Sequence, residues 1–214
     1  MDINPVFKSF TFVIGFTAQF LFSVRLFVQW IQSEKAKKVL TPELFWELSL
    51  FASFLFFIYG WMRNDFAIMF GQSITYFIYI RNMQLQNNWN NINILIRRIL
   101  ILLPFLILSF LLYNGRIGSD NLLKNNNIPL SLVIWGSFGQ LLFSFRFVYQ
   151  WIYSERIKES CLPLNFWIIS LTGSAIILSY AILRIDPVLF IGQIFGFIMY
   201  LRNIIISLKE KLEK

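Results

Sequence analysis

The chain contains no histidine and a single cysteine, Cys161, and only 14% of its 214 residues are charged. Without histidine it lacks the commonest general base, the commonest metal ligand and every Ser–His or Cys–His nucleophile. A lone cysteine also excludes an internal disulfide. Soluble proteins carry about 25% charged residues, so the low charge argues against an ordinary soluble domain. These absences predict a protein without catalytic residues, metal or cofactor, and therefore not an enzyme.

Apolar and aromatic residues make up most of the chain. It is 57% hydrophobic and contains 25 Phe, 8 Tyr and 7 Trp, which excludes a disordered chain. A transmembrane helix needs roughly 20 mainly apolar residues. Seven such runs are present, at about residues 10–31, 44–62, 66–80, 94–113, 130–152, 166–183 and 188–207. The sequence therefore predicts an all-α, polytopic membrane protein with seven transmembrane helices.

Lysine and arginine predict how these spans are oriented, because cytoplasmic loops carry an excess of both. Five basic residues lie on the side of the N-terminus and twelve on the opposite side. The count predicts an N-terminus outside the cytoplasm and a cytoplasmic C-terminus. The basic excess is thereby interpreted as a topology signal, and no nucleic-acid partner is expected.

An internal repeat organises the chain. Residues 15–82 align without a gap on residues 136–203, and 26 of the 68 pairs are identical. Many of the matches are polar or rare residues, which composition bias does not explain. They include Gln19 with Gln140, Arg25 with Arg146, Gln29 with Gln150, Trp46 with Trp167, Gly71-Gln72 with Gly192-Gln193, and Arg81-Asn82 with Arg202-Asn203. The chain is therefore a duplicated unit of three spans.

The fourth span lies outside the repeat, between two Asn-rich linkers. Three spans leave the chain on the wrong side for a second copy in the same orientation, and one more span returns it. The expected layout is a parallel 3+1+3 arrangement, a symmetry found among transporters. We expect a first repeat at 1–86, a linker with the inversion helix at 87–129 and a second repeat at 130–214. This arrangement resembles the SWEET sugar transporters, and each half resembles the bacterial SemiSWEET unit.

Two arginines lie inside spans one and five. Arg25 and Gln29 are four residues apart and share a helix face, and Arg146 and Gln150 repeat that pattern. Snorkelling to the cytoplasmic headgroups is one interpretation. The other is a phosphate site, because the guanidinium carries a planar fork of donors and keeps its charge. The duplication favours the second interpretation.

Further polar candidates lie toward the other side of the membrane. The short turns after spans two and six carry Arg63 with Asp65 and Arg184 with Asp186. They are interpreted either as helix caps or as an outer gate whose carboxylates meet a sugar amine. Together with Gln29 and Gln150, Gln72 and Gln193 are candidates for lining a substrate path. Gln19 and Gln140 are further candidates for substrate binding. Trp46, Trp167 and Tyr79 are expected in the interfacial aromatic belts.

These matched motifs identify the chain as similar to the lipid A biosynthesis N-terminal domain family. The resemblance rests on the string from Gln19 to Glu34, on Pro42 with Phe45-Trp46, on Arg63 to Asp65, on Gly71-Gln72 and on Tyr79 to Asn82, each with its counterpart in the second copy. It implies a PQ-loop or SWEET-like membrane fold in a bacterial inner membrane, where the outer side that holds the N-terminus is the periplasm. It also implies a polyprenyl-phosphate-linked sugar, such as undecaprenyl phosphate galactosamine, as cargo.

Three hypotheses for function follow. The first is a flippase that moves the polyprenyl-phosphate sugar from the cytoplasmic to the periplasmic leaflet for lipid A modification, upstream of a periplasmic-facing glycosyltransferase. In it the paired arginines hold the phosphate while the lipid tail stays among membrane lipids. The second is a carrier of a free small sugar, which offers the arginines no anion. The third is an accessory membrane subunit of a lipid A glycosyltransferase.

Overall fold

The computed structural model describes residues 5–62, 66–113, 129–183 and 187–212. Within these ranges the chain is all-helical, with seven α-helices and one short 3-10 helix and without a strand, as the sequence predicts. The elements are α1 (Pro5–Ala36), α2 (Glu43–Met62), α3 (Phe66–Leu85), the 3-10 helix (Asn88–Asn91), α4 (Ile94–Tyr113), α5 (Leu130–Ile157), α6 (Leu164–Leu183) and α7 (Pro187–Leu212).

Four segments of these helices are long and apolar enough to cross a membrane by length and composition. They are Phe10–Ala36, Glu43–Met62, Leu164–Leu183 and Phe190–Leu212. These segments belong to α1, α2, α6 and α7. Seven spans and the 3+1+3 layout remain predictions beyond this finding.

Prolines mark the beginnings of five described helices: Pro5 is the first residue of α1, and Pro129 lies one residue before α5. Pro42 and Pro163 each lie one residue before a helix, and their carbonyl oxygens accept the backbone N–H of Phe45 at 3.0 Å and of Phe166 at 2.9 Å. Pro187 is the first residue of α7. Proline suits a helix start because its missing N–H has no intrahelical acceptor there and its φ is already helical.

The two copies pack against each other through equivalent helices. Within each copy the middle helix contacts both of its neighbours, α2 in the first copy and α6 in the second. Between the copies, α1 packs on α7 and α3 packs on α5. Because α5 is the counterpart of α1 and α7 that of α3, these two contacts are the same contact made twice. Polar residues conserved between the copies therefore meet across the interface in pairs.

The core at this interface is aromatic. Phe45, Trp46, Phe166 and Trp167 are buried to 1% exposure or less, and Tyr79 to 1%. The expectation that Trp46, Trp167 and Tyr79 lie in interfacial belts is therefore wrong. Edge-to-face contacts between the rings, such as Phe45–Trp46 at 4.8 Å and Phe166–Trp167 at 4.9 Å, fill the centre of the bundle.

Candidate functional site

Arg25 lies in the interior of the bundle, although it belongs to a helix of membrane-spanning length. Its side chain is 3% exposed, and Nη1 donates hydrogen bonds to Ser49 Oγ and, at 3.3 Å, to the hydroxyl of Tyr79. Its Cζ lies 4.6 Å from the ring centroid of Phe22 and 5.0 Å from that of Phe45. Its Nε has no hydrogen-bond partner among the described residues. The protein thus holds part of this guanidinium and leaves one donor unsatisfied.

Arg146 occupies the equivalent position on α5 and is also 3% exposed. Its Cζ lies 3.5 Å from the ring centroid of Phe143, 5.6 Å from that of Phe166 and 5.3 Å from that of Tyr200. Both Nε and Nη1 lack a hydrogen-bond partner in the described part of the chain. This guanidinium therefore rests on aromatic faces and has more unsatisfied donors than its counterpart.

The two arginines meet at one ring. Phe147 has the Cζ of Arg25 at 5.3 Å and the Cζ of Arg146 at 4.7 Å from its centroid. No carboxylate in the described ranges forms an ion pair with either of them. Burial and the proximity of a like charge both disfavour two cations, and attraction to a bound anion offsets part of both costs. Their burial favours a site inside the protein over snorkelling to lipid headgroups.

Gln29 anchors the loop that follows α1. Its Nε2 donates to Ser33 Oγ at 2.9 Å and to the carbonyl of Leu40 at 3.1 Å, and the backbone N–H of Leu40 donates back to Ser33 Oγ at 3.0 Å. Because Gln29 and Ser33 are one helical turn apart, they face the same loop. The spacing of the repeated motif therefore encodes a local fold that draws the loop onto the helix end.

The second copy builds the same loop with Gln150. Its Nε2 donates to Ser154 Oγ at 2.8 Å and to the carbonyl of Cys161 at 2.9 Å. The backbone N–H of Cys161 donates to Ser154 Oγ at 3.3 Å. Cys161 lies in this loop, where burial raises the pKa of its thiol. Both glutamines are completely buried and therefore hold structure on the side where α1 and α5 end.

The same two glutamines also join the repeats. Gln29 Nε2 donates to Asn203 Oδ1 at 2.9 Å, and Gln150 Nε2 donates to Asn82 Oδ1 at 2.7 Å. Asn82 returns a hydrogen bond from Nδ2 to Gln150 Oε1 at 3.1 Å. All four side chains are fully buried. A crosswise pair of amide contacts therefore closes this end of the interface between the copies.

Two crosswise ion pairs surround these amides. Arg202 donates from Nε to Glu34 Oε2 at 2.8 Å and from Nη2 to Oε1, and Arg81 donates from Nη2 to Glu155 Oε2 at 3.0 Å and from Nε to Oε1. Glu155 lies beyond the predicted fifth span, and the hydrogen bond from Arg81, supported by Lys158, lowers the pKa of its carboxyl to about 2. Both bidentate pairs link one repeat to the other.

The other predicted glutamines lie farther along the helices. Gln19 Oε1 lies 3.4 Å from the point where a Cβ would stand on Gly192, so the two copies approach closely there. The Oε1 atoms of Gln72 and Gln193 are buried without a partner among the described residues. Gln140 is half-buried. Gln72 and Gln193 therefore leave unsatisfied acceptors next to Gly71 and Gly192, which add no bulk.

The predicted outer turns lie outside the described residues. Arg63, Asp65, Arg184 and Asp186 were assigned either to helix caps or to a gate, and that choice remains a prediction. Sequence reasoning also missed the inter-repeat role of Asn82, Asn203 and the two ion pairs. The sequence marked these residues, because each one is identical in the two copies. Identity between the copies does not predict, however, which of these residues contact each other.

Apolar helices of membrane-spanning length, a duplicated helical unit and a buried pair of arginines define a membrane protein built from two copies of one three-helix module. The family model of the Lipid A Biosynthesis N-terminal domain matches residues 14–84 and 135–205. The chain therefore belongs to that family, in which it carries two tandem copies of the domain.

The curated relatives of the chain are named lipid-A-disaccharide synthase. The chain is 29% identical to that of Chlamydia felis over 206 residues, which are 92% of this chain and 33% of the relative. The identity is 29% to that of Chlamydia pneumoniae, with the same shares, and 28% to that of Chlamydia muridarum, over 94% of this chain and 35% of the relative. The chain thus spans about a third of the length of these relatives. No solved structure matches it.

These names overturn one expectation. The sequence analysis predicted that the chain is not an enzyme, whereas relatives along 92% of its length carry the name of one, a disaccharide synthase. That prediction is wrong, because it drew on the absence of an acid–base pair in this chain alone. The link to lipid A biosynthesis, by contrast, is confirmed by the family.

Proposed function

We propose that this protein binds a polyprenyl-phosphate-linked amino sugar and moves it from the cytoplasmic to the periplasmic leaflet of the inner membrane, where it serves lipid A modification. The observation that carries the proposal is the pair formed by Arg25 and Arg146. Both are 3% exposed, both lie against the ring of Phe147, and neither is paired with a carboxylate in the described ranges.

A phosphate monoester or diester suits this pair for a physical reason. Arginine offers a planar fork of donors that matches phosphate oxygens, and the bond is stronger away from water. The unsatisfied Nε atoms of Arg25 and Arg146, with Nη1 of Arg146, are donors that a phosphate satisfies. A neutral free sugar brings no charge to offset two buried cations, so the pair favours a phosphorylated ligand.

The remaining polar residues complete the proposed path. Gln19, Gln72, Gln140 and Gln193 contact the sugar, and Asp65 and Asp186 receive its amine near the periplasmic face. Gln29 and Gln150 close the cytoplasmic end through their bonds to Asn203 and Asn82. The headgroup travels between the two repeats while the polyprenyl tail stays in the bilayer.

Alternating access in this proposal is a rocking of one repeat against the other in a parallel 3+1+3 arrangement. Support comes from the contact between copies, which runs through α1 with α7 and through α3 with α5. The proposed orientation has a periplasmic N-terminus and a cytoplasmic C-terminus. Cysteines introduced singly near residues 8 and 210 of a Cys161→Ser protein test it by labelling from the periplasm. We expect labelling at the first position and protection at the second.

The names of the relatives favour a second candidate. In it the chain is the membrane part that presents a phosphorylated lipid to lipid A glycosyl transfer, since the relatives named as synthases match it over 92% of its length. The same arginine pair holds the lipid in both candidates. The two candidates differ in whether the purified chain by itself moves the lipid from one leaflet to the other.

Reconstitution separates the two. Purified protein is placed in liposomes that contain a fluorescent polyprenyl-phosphate sugar, and a membrane-impermeant reagent reports the fraction in the outer leaflet. We expect transfer by the wild-type protein alone and its loss in the Arg25→Ala, Arg146→Ala double variant. Arg156→Ala is the matched control, because this exposed arginine lies on α5 outside the buried pair.

Two results contradict parts of this proposal, the first the flippase activity and the second the site assigned to it. Wild-type liposomes that equilibrate no lipid, while the protein still binds it and restores sugar transfer in a transferase-containing extract, favour the second candidate. Normal transfer in the double variant contradicts the arginine site itself. Mass spectrometry of lipid A from a deletion strain then names the sugar by the substituent that disappears.

A further inference from the structure

The two tryptophans that the fold buries completely have an unusual hydrogen-bond status. Trp46 and Trp167 are 0% exposed, and the indole N–H of each lacks an acceptor in the described part of the chain. Buried donors are almost always bonded in native proteins. Other tryptophans of this chain have an acceptor although they are less buried, for example Trp135, which is 44% exposed and whose Nε1 donates to Ser179 Oγ at 2.8 Å. The same exception at two equivalent positions calls for a common cause.

The first of these indoles shares its surroundings with Arg25. The ring of Trp46 lies 4.8 Å from that of Phe45 and 5.9 Å from that of Tyr79. The Cζ of Arg25 lies 5.0 and 5.6 Å from the centroids of those two rings. Indole and guanidinium thus contact the same two aromatic side chains.

The second indole shares its surroundings with Arg146 in the same manner. The ring of Trp167 lies 4.9 Å from that of Phe166 and 6.2 Å from that of Tyr200. The Cζ of Arg146 lies 5.6 and 5.3 Å from the centroids of the same rings. The duplication therefore places an unsatisfied indole beside each buried arginine.

The unsatisfied atoms of these four side chains have one chemistry. The Nε of Arg25, the Nε and Nη1 of Arg146 and the two indole Nε1 atoms are all N–H donors. A cation or a ligand rich in donors leaves them unsatisfied, whereas a phosphate presents only acceptor oxygens. We infer that the indole N–H groups of Trp46 and Trp167 are ligand donors to the same lipid phosphate that the arginines bind. This inference rests on the proposed function and adds two specificity-determining residues to its site.

Replacement of a tryptophan by the isosteric 3-benzothienyl-alanine isolates the N–H group, since sulfur keeps the two fused rings and the donor is lost, whereas phenylalanine would also leave a cavity. We expect this replacement at Trp46 or at Trp167 to weaken binding of polyprenyl phosphate in nanodiscs about 3- to 10-fold. The thermal stability of the ligand-free protein should stay unchanged or rise, because no bond within the protein is removed. The same replacement at Trp135 is the control and should do the reverse, lowering stability through the lost bond to Ser179 and keeping lipid affinity.

Indole spectroscopy provides a measurement on the unmutated protein. With ¹⁵N-labelled tryptophan, two indole N–H resonances, assigned from the two variants, should move when polyprenyl phosphate is added and stay in place with polyprenol. An equal shift with polyprenol overturns the inference. If inorganic phosphate by itself moves these two resonances, the ligand is free phosphate and the assignment to a lipid is overturned.

The outcomes distinguish this inference from the proposed function. Wild-type affinity in both tryptophan variants, with loss of binding in the arginine double variant, overturns the inference and leaves the proposed function intact. Wild-type affinity in all of these variants overturns both. If the ligand-free protein with 3-benzothienyl-alanine at Trp46 or Trp167 is destabilised as much as the protein with this replacement at Trp135, the indole N–H has a structural role and the inference is overturned.

Discussion

Gln29 and Asn203 are 174 residues apart in sequence, yet Nε2 of the first donates to Oδ1 of the second at 2.9 Å. In the equivalent contact, Gln150 of the second repeat donates from Nε2 to Oδ1 of Asn82 in the first repeat at 2.7 Å. Every one of these side chains is fully buried. Each contact therefore joins the two repeats at a point where water is excluded, and a buried amide left without its partner is costly.

Loss of one amide should therefore destabilise the whole protein. We expect Gln29→Ala to lower the free energy of unfolding by about 1–3 kcal/mol, because Asn203, Ser33 and Leu40 each lose a bond. Thermal unfolding in nanodiscs measures the effect. Gln140→Ala, at a half-buried position, is the control and should change the stability little. Equal stability of the two variants contradicts the structural role of Gln29.

The ion pair between Arg81 and Glu155 should be insensitive to pH in the physiological range. The pKa of the Glu155 carboxyl in the folded protein is about 2, which is below the ordinary glutamate pKa. The pair therefore stabilises the fold fully at pH values above the ordinary pKa, and this contribution is lost as the pH falls toward 2. We expect the difference in Tm between wild type and Glu155→Gln to be constant from pH 5.5 to 8. A difference that disappears between pH 7 and 5.5 contradicts the assignment.

The close approach of α5 and α6 should not tolerate a methyl group. A Cβ on Gly173 would stand 3.1 Å from the backbone Cα and N of Phe143, which cannot move alone. We expect Gly173→Ala to cost about 1–3 kcal/mol of stability. Gly71→Ala is the control, because its nearest atom is Ser144 Oγ at 3.6 Å, and it should fold like wild type. Thermal unfolding compares the two, and a tolerated Gly173→Ala contradicts this packing.

The two arginines should respond differently to lysine. Nη1 of Arg25 already bonds Ser49 and Tyr79, whereas Nε and Nη1 of Arg146 have no partner in the described ranges. Lysine keeps the charge and loses the fork of donors. We expect Arg146→Lys to weaken binding of polyprenyl phosphate about tenfold and Arg25→Lys to weaken it less.

Equilibrium binding in nanodiscs measures that difference, with thermal stability as the control for folding. Each Arg→Ala variant should lose about 10- to 100-fold in affinity, in keeping with charge-assisted hydrogen bonds of about 1.5–3 kcal/mol. If lysine replaces either arginine without loss of affinity, the result favours snorkelling and contradicts the phosphate site.

Local sequence predicted the helices well. The spans expected at 44–62 and 94–113 correspond to Glu43–Met62 and Ile94–Tyr113. The first was expected to end at residue 31, yet α1 continues to Ala36. Hydropathy detects where the chain leaves the apolar core, whereas the helix continues as long as backbone bonds and pairs such as Trp30 with Glu34 support it.

The sequence by itself determined the helical class, the duplication and the identity of the matched polar residues. Only the tertiary structure decided that Gln29 meets Asn203, that Glu34 meets Arg202 and that Trp46 is buried. The reason is that these helices are apolar on nearly all sides, so periodicity does not show which face turns inward. The buried face is fixed by packing between the repeats, and that packing joins residues more than 150 positions apart.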